Sequence, residues 1–148
     1  MITTVLSLMT SLMELPLGES GGTTLAARVD EALLCAHDLP LSWFEVMLWL
    51  HGQSEPVAAS DPGAKTLLSR SQVSRVINSL KSRGLVTRVV SPTDARSVHI
   101  ALSEAGRSAF AEADATRRAA LAEVFDDRLD ERDIEDLERV CQKLKRRA

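Results

Sequence analysis

The 148-residue chain has no tyrosine, and with two Trp and three Phe its aromatics amount to 3%. Proteins that grip single-stranded nucleic acid stack successive bases on exposed rings, and this composition does not supply such a series. Cysteine is nearly absent too. Cys35 and Cys141 form no C-x-x-C pair and have no histidine at ligand spacing, which excludes a disulfide framework and a zinc site and suits a reducing cytoplasm. No G-x-S-x-G, P-loop or H-E-x-x-H motif occurs, and three isolated histidines offer no base with an orienting partner. The sequence therefore reads as a non-enzyme, without catalytic residues, cofactor or metal.

Positive charge is missing from the start of the chain, where the first basic residue is Arg28. A secretory signal needs a basic n-region, and a membrane span needs about 20 apolar residues in a row. Residues 1–17 satisfy neither, because Thr3, Thr4, Ser7, Thr10, Ser11 and Glu14 interrupt them. Val5, Leu8, Met9, Leu12 and Leu15 recur at helical spacing, so this stretch reads either as an extra amphipathic helix or as a tail outside the fold.

What is present is an ordinary globular balance, 45% apolar and 26% charged, at a length suited to one domain with its own core. The net charge of −3 conceals an asymmetry. Between Ala64 and His99 seven basic residues face a single Asp94, a net of +6, which leaves −9 for the rest of the chain. A basic block in an acidic protein is a footprint for a polyanion, although charge alone fits a solvated helix face equally well.

Periodicity arranges the elements. Thr23 or Thr24 caps a helix running to about Asp38 with Leu25, Val29, Leu33 and Ala36 in one stripe. Ser42, with Glu45 three residues on, has the capping-box spacing and opens a helix over residues 43–51 that is apolar nearly all round, hence the expected centre of the core. Residues 52–60 read as a turn-rich connection. Asp61-Pro62 reads as an N-cap with proline at the first helical position, opening a short helix to Leu68. Ser69 with Gln72 is a second capping box, and Gly84 is placed to end the helix it starts. The period then changes to two: residues 85–90 and 97–102 are β-rich runs joined by a polar turn, a hairpin. Ser103 caps a long helix to about Phe125, and a last helix from about Asp130 aligns Ile134, Leu137, Val140, Cys141 and Leu144.

Two short helices, a longer one with a polar outer face and a hairpin make a mainly α winged helix-turn-helix. The major groove of B-DNA admits one α-helix, and short polar side chains let its backbone approach the base edges. Ser69, Arg70, Ser71, Gln72, Ser74, Arg75, Asn78 and Lys81 supply such side chains, with Arg88 on the first strand and Asp94 and Arg96 at the hairpin turn. Arg96 either touches the minor groove or a phosphate, or pairs with Asp94 to brace the turn. The bland alternative for Ser71, Ser74, Arg75 and Asn78 is a solvated helix face. Against it stand the hairpin that follows and the absence of any acidic residue between Ser69 and Arg88.

Residues 68–75 and 80–88, Asp94-Ala95-Arg96, residues 102–107 and residues 41–46 together resemble the recognition helix, following strand, wing motif, post-wing helix start and early helix opening of the multiple-antibiotic-resistance regulator (MarR) family. The resemblance spans residues about 41–107. It implies a single domain over 1–148: a DNA-binding lobe at about 61–102, and dimerisation helices at about 1–40 and 103–148 that place two recognition helices on a pseudo-palindromic operator. It also implies a cytoplasmic, effector-responsive regulator, most simply a repressor; a winged-helix adaptor that binds protein instead of DNA is the alternative. The chain departs from the family at 52–68, where Pro56, Asp61, Pro62 and Gly63 interrupt what is usually a clean helix. Members of the family bind small aromatic ligands in a crevice, for which Trp43, Glu45 and Trp49 are chemically suitable walls; otherwise the tryptophans are core and Glu45 exposed. Val29, Leu33, Ile134, Leu137, Val140 and Leu144 are the expected dimerisation residues. Cys35 is either an oxidant sensor or a buried spectator, and with no basic neighbour in sequence to depress its pKa it reads as the spectator.

Overall fold

The computed structural model describes residues 24–58, 68–91, 93, 94, 96, 98–126 and 128–146. Five helices and a three-stranded sheet occupy them: α1 (Leu25–His37), α2 (Leu41–His51), β1 (Val57–Ala58), α3 (Arg70–Ser82), β2 (Val86–Val90), β3 (Val98–Leu102), α4 (Glu104–Asp126) and α5 (Glu131–Arg146). The expected helix at 1–17, and all but Leu68 of the one expected at 61–68, lie outside the described residues.

Thr24 starts α1, its hydroxyl accepting the Ala27 N–H at 3.1 Å. The helix ends in Asp38, which adopts the left-handed conformation (φ 50°, ψ 41°) that an Asp tolerates better than most residues. After Leu39 and Pro40 the chain turns through 86° into α2. Here the expected Ser42–Glu45 capping box is corrected. The helix begins at Leu41 behind Pro40 with no side-chain cap of its own, and the free Leu41 N–H is met by the Asp30 carboxylate of α1 at 2.8 Å.

Helix α2 is the centre of the fold, packing against α1, α3, α4 and β3. Phe44, Val46, Met47, Trp49 and Leu50 are buried in it, as a helix apolar nearly all round requires. A column of π contacts fixes α2 to α4: His51 stacks on Phe110 at 4.3 Å, Phe110 on Phe44 at 5.3 Å, and Arg117 lies over Phe44 at 5.4 Å. The alignment follows from spacing, since residues 44 and 51 on α2, like 110 and 117 on α4, are two helical turns apart.

Val29 and Leu33, expected at a subunit interface, are instead 0% exposed within one protomer, because α1 packs along α4. A side chain enclosed by its own chain has no surface left for a partner, so the dimer assignment of these two residues is overturned. Cys35 is corrected as well: it is exposed, on the outer face of α1.

The sheet has order β1-β3-β2 and is antiparallel throughout. β1 arises inside the stretch expected to be connection only; two residues are too few to display an alternation. In the hairpin Val86 pairs with Leu102, Arg88 with Ile100 and Val90 with Val98, so these six side chains share one sheet face. Both legs of the hairpin end in one knot. The Ser103 backbone N–H donates to Leu85 O at 3.0 Å, its hydroxyl donates to Gly84 O at 2.6 Å, and the same hydroxyl accepts the Gly106 N–H at 2.9 Å. A Cβ on Gly106 would stand 1.9 Å from Leu85 O, so only glycine lets α4 approach this closely.

Helix α5 starts with a reciprocal cap, Asp130 and Asp133 each accepting the other's backbone N–H. Among the described residues it makes no extensive packing contact with any other element. Val140 is 48% exposed, while the side chains of Ile134, Leu137, Cys141 and Leu144 lie outside the described residues.

Candidate nucleic-acid interface

Helix α3 carries its polarity on one side only. Val73, Val76, Ile77 and Leu80 are buried, and Arg70, Ser71, Gln72, Ser74, Arg75 and Asn78 are exposed. Its first turn holds no acidic residue. The capping box expected at Ser69 is formed: the Ser69 hydroxyl accepts the Gln72 N–H at 3.3 Å, and the Gln72 side-chain oxygen accepts the Ser69 N–H at 2.9 Å. Ser69 also shares a hydrogen bond with Ser71 at 3.2 Å. Ser69 and Gln72 thus spend their acceptors on the helix, and what Gln72 can offer outward is its –NH2 group.

The register of the hairpin explains the position of Arg88. It shares a sheet face with buried Val86 and Ile100 but lies nearer the turn, so it is exposed and directed toward α3. Together with Ser74, Asn78 and Lys81 it lines an open groove of about 370 Å³ floored by Ile77, Val98 and Ile100. Four of the residues singled out from sequence, on two elements, therefore surround one concavity containing two cations and no carboxylate.

At the wing tip the expected Asp94–Arg96 brace takes a different form. The Asp94 carboxylate accepts the backbone N–H of Arg96 at 3.0 Å, an Asx-type turn. The Arg96 side chain is exposed, and among the described residues the ion pairs lie elsewhere, at Arg117–Asp114, Arg118–Asp114 and Arg139–Asp136. Ser91 and Thr93 add a hydroxyl–hydroxyl bond of 3.1 Å beside it. A turn held by short polar bonds leaves its guanidinium free to reach outward.

Trp43, Glu45 and Trp49 do not form one wall. Glu45 and Trp49 are four residues apart on α2 and share a face, and Trp43 lies on the other side of the helix. Burial holds the half-buried Glu45 carboxyl above its ordinary pKa. Trp49 is buried, its indole N–H without a hydrogen-bond partner. Trp43 is half-buried beneath the guanidinium of Arg83, 5.5 Å from the ring centroid. In sequence Arg83 counts only as one more charge in the basic block; its contacts depend on residues forty or more positions away. Among the described residues no group of three His, Cys, Asp or Glu side chains could hold a metal, and no single helix is long and apolar enough to cross a membrane.

Residues 37–97 match the family model described as the MarR family. No curated protein matches the chain. Solved structures share its fold. Apo wild-type MarR from E. coli is 14% identical with a TM-score of 0.72, over 97% of this chain and 96% of that one. Sco3205, a MarR family transcriptional regulator from Streptomyces coelicolor solved in complex with DNA, is 16% identical with a TM-score of 0.64, over 97% and 82%. CouR from Rhodococcus jostii RHA1, solved bound to p-coumaroyl-CoA, is 24% identical with a TM-score of 0.64, over 97% and 90%.

Proposed function

We propose, from a MarR-family segment at residues 37–97 set in that family's winged helix-turn-helix fold, that this chain is a cytoplasmic homodimeric regulator that binds duplex DNA in a sequence-specific way. The observation that carries the reading is the groove shared by Ser74, Asn78, Lys81 and Arg88 beside the capped N-terminus of α3. In it α3 enters the major groove, where Ser71, Ser74, Arg75 and Asn78 meet base edges. Arg70 and the helix N-terminus take phosphate, Lys81 and Arg88 hold the flanking backbone, and Arg96 reaches the minor groove. Sco3205 is a structural neighbour that was solved on DNA.

The dimer forms through the terminal helices, with the face of α5 that bears Ile134, Leu137, Val140 and Leu144 against a second copy. The exposure of Val140 and the sparse packing of α5 within the protomer support this. Bound at a promoter, the dimer represses transcription and is released by a small aromatic acid, CouR being the neighbour solved with an aromatic acyl ligand. Glu45 and Trp49 line the binding face, and Trp43 responds from the opposite side of α2.

Selection from a random duplex pool tests the reading. The protein should enrich a pseudo-palindrome with half-sites about 34 Å apart, and affinity for it should fall steeply with salt. Retention of no duplex at low salt would sink the DNA reading and favour the protein-binding adaptor.

A further inference from the structure

Helix α3 is held along its buried side by apolar packing and at its wing-side end by the Gly84–Ser103 bond. One polar connection runs the other way, into the α1–α2 corner. Arg83, the residue that closes α3, donates from Nη1 to the backbone oxygen of Asp38 at 2.8 Å, and the same guanidinium lies over the Trp43 ring. The acceptor is set by unusual backbone. Asp38 is the non-glycine residue with positive φ among those described, and that left-handed conformation places its carbonyl at the corner between α1 and α2. The corner is itself braced by the Asp30 carboxylate on the Leu41 N–H. A planar cation on a tryptophan face and a charge-assisted bond to a fixed carbonyl are two orientation-dependent contacts made by one exposed side chain.

We infer that Arg83 is a positioning residue for DNA reading: it latches the C-terminal end of α3 to Asp38 and Trp43, so that the state of the α1–α2 corner sets the pose of the reading face. The inference rests on the DNA reading of α3 proposed above. It gives Trp43 a role different from that of a ligand wall. Anything that displaces the indole, or turns the Asp38 carbonyl, unlatches α3 from the α1–α2 corner and leaves its end to the Gly84–Ser103 bond. The ordering of α3 then has to be paid on binding DNA, as for any site that is not preorganised. Removing Arg83 leaves no core cavity, because the side chain is exposed.

The test is a double-mutant cycle with R83Q and W43L, read in two ways: by urea unfolding without DNA, and by titration of a duplex selected by the wild-type protein alongside its scrambled sequence. Each single variant should weaken the selected duplex by about tenfold. The double variant should be little worse than either single, the salt slope should stay at the wild-type value, and R83K, which keeps the charge without the planar fork, should recover only a small part of the loss. Additive effects in the cycle overturn the latch. A uniform loss on both duplexes in R83Q alone, with a salt slope lower by about one per subunit, also overturns it and makes Arg83 a plain phosphate contact. If the wild-type protein selects no duplex, it is the DNA reading that falls, and the unfolding cycle still reports whether Arg83 and Trp43 are coupled.

Discussion

Helices α1 and α5 have similar apolar stripes in sequence, Val29 with Leu33 and Ile134 through Leu144, but differ in how the protomer packs them. α1 lies along α4 with Val29 and Leu33 enclosed by the protomer, whereas among the described residues α5 makes no extensive packing contact and Val140 is half in solvent. A stripe states that a face will be covered; it does not state by what. The partner of α1 is the helix that follows the wing, brought beside it by the 86° turn at Asp38 and by the long run of α4. α5 comes after α4 has filled that position, and among the described residues no other element packs extensively against it.

The contrast can be broken most severely at Leu33. Leu33→Asp places a charge where nothing can solvate or pair it, and we expect a loss of about 4–5 kcal/mol or more, seen as failure to unfold cooperatively in urea. Leu137→Glu, on the apolar face of α5, should act on assembly and leave the protomer folded: about 3 kcal/mol of dimer stability is lost, and sedimentation shifts to the monomer while circular dichroism keeps its helical signal. A Leu137→Glu protein that stays dimeric, or that loses its helices, would place the two helices in the same class after all.

Smaller effects sharpen the distinction between faces turned inward and faces left for partners. Arg75→Ala, on the outer side of α3, should cost about 1–3 kcal/mol on the selected duplex and relax preference at one base position, with no change in melting temperature. Arg96→Ala should weaken selected and scrambled duplexes alike and lower the salt slope by about one per subunit. Smallest is Glu45. Its carboxyl is held above the ordinary value by burial, so the folded state binds that proton more tightly than the unfolded state does. The stability it contributes is complete below the unfolded value near 4.5 and is lost as pH rises through the raised folded value. Glu45→Gln should therefore be slightly more stable than wild type at neutral pH, with the difference vanishing on acidification; equal pH profiles for the two proteins would contradict the burial of this group.

Local chemistry was legible and long-range chemistry was not. The Ser69–Gln72 box, the Gly84 terminus and the hairpin are decided within a few residues, and each appears where the pattern places it. The Ser42–Glu45 box had the same local signature and failed, because the helix already starts at Leu41, behind Pro40, and its Leu41 N–H is met by Asp30, a carboxylate eleven residues back in the chain. Cys35 reads as a buried spectator because no basic residue neighbours it in sequence, yet its place on α1 leaves it exposed. The candidate interface follows the same division. Ser74, Asn78 and Lys81 are evident from helical periodicity and Arg88 from alternation, while Arg83 acquires its partners only when the α1–α2 corner is folded.

The knot at the root of the hairpin has a consequence for how such a chain can diversify. Gly84, Leu85, Ser103 and Gly106 clamp both legs at one place, so the loop between the strands closes a ring whose ends are already joined. Closure entropy grows only with the logarithm of loop length, and doubling such a loop costs about 0.6 kcal/mol. The segment at 91–97 is thus a replaceable fingertip: insertions or exchanges there alter how far a cation extends over a neighbouring surface and leave the hand that carries it unchanged, whereas even a single methyl added at Gly106 disturbs the wrist.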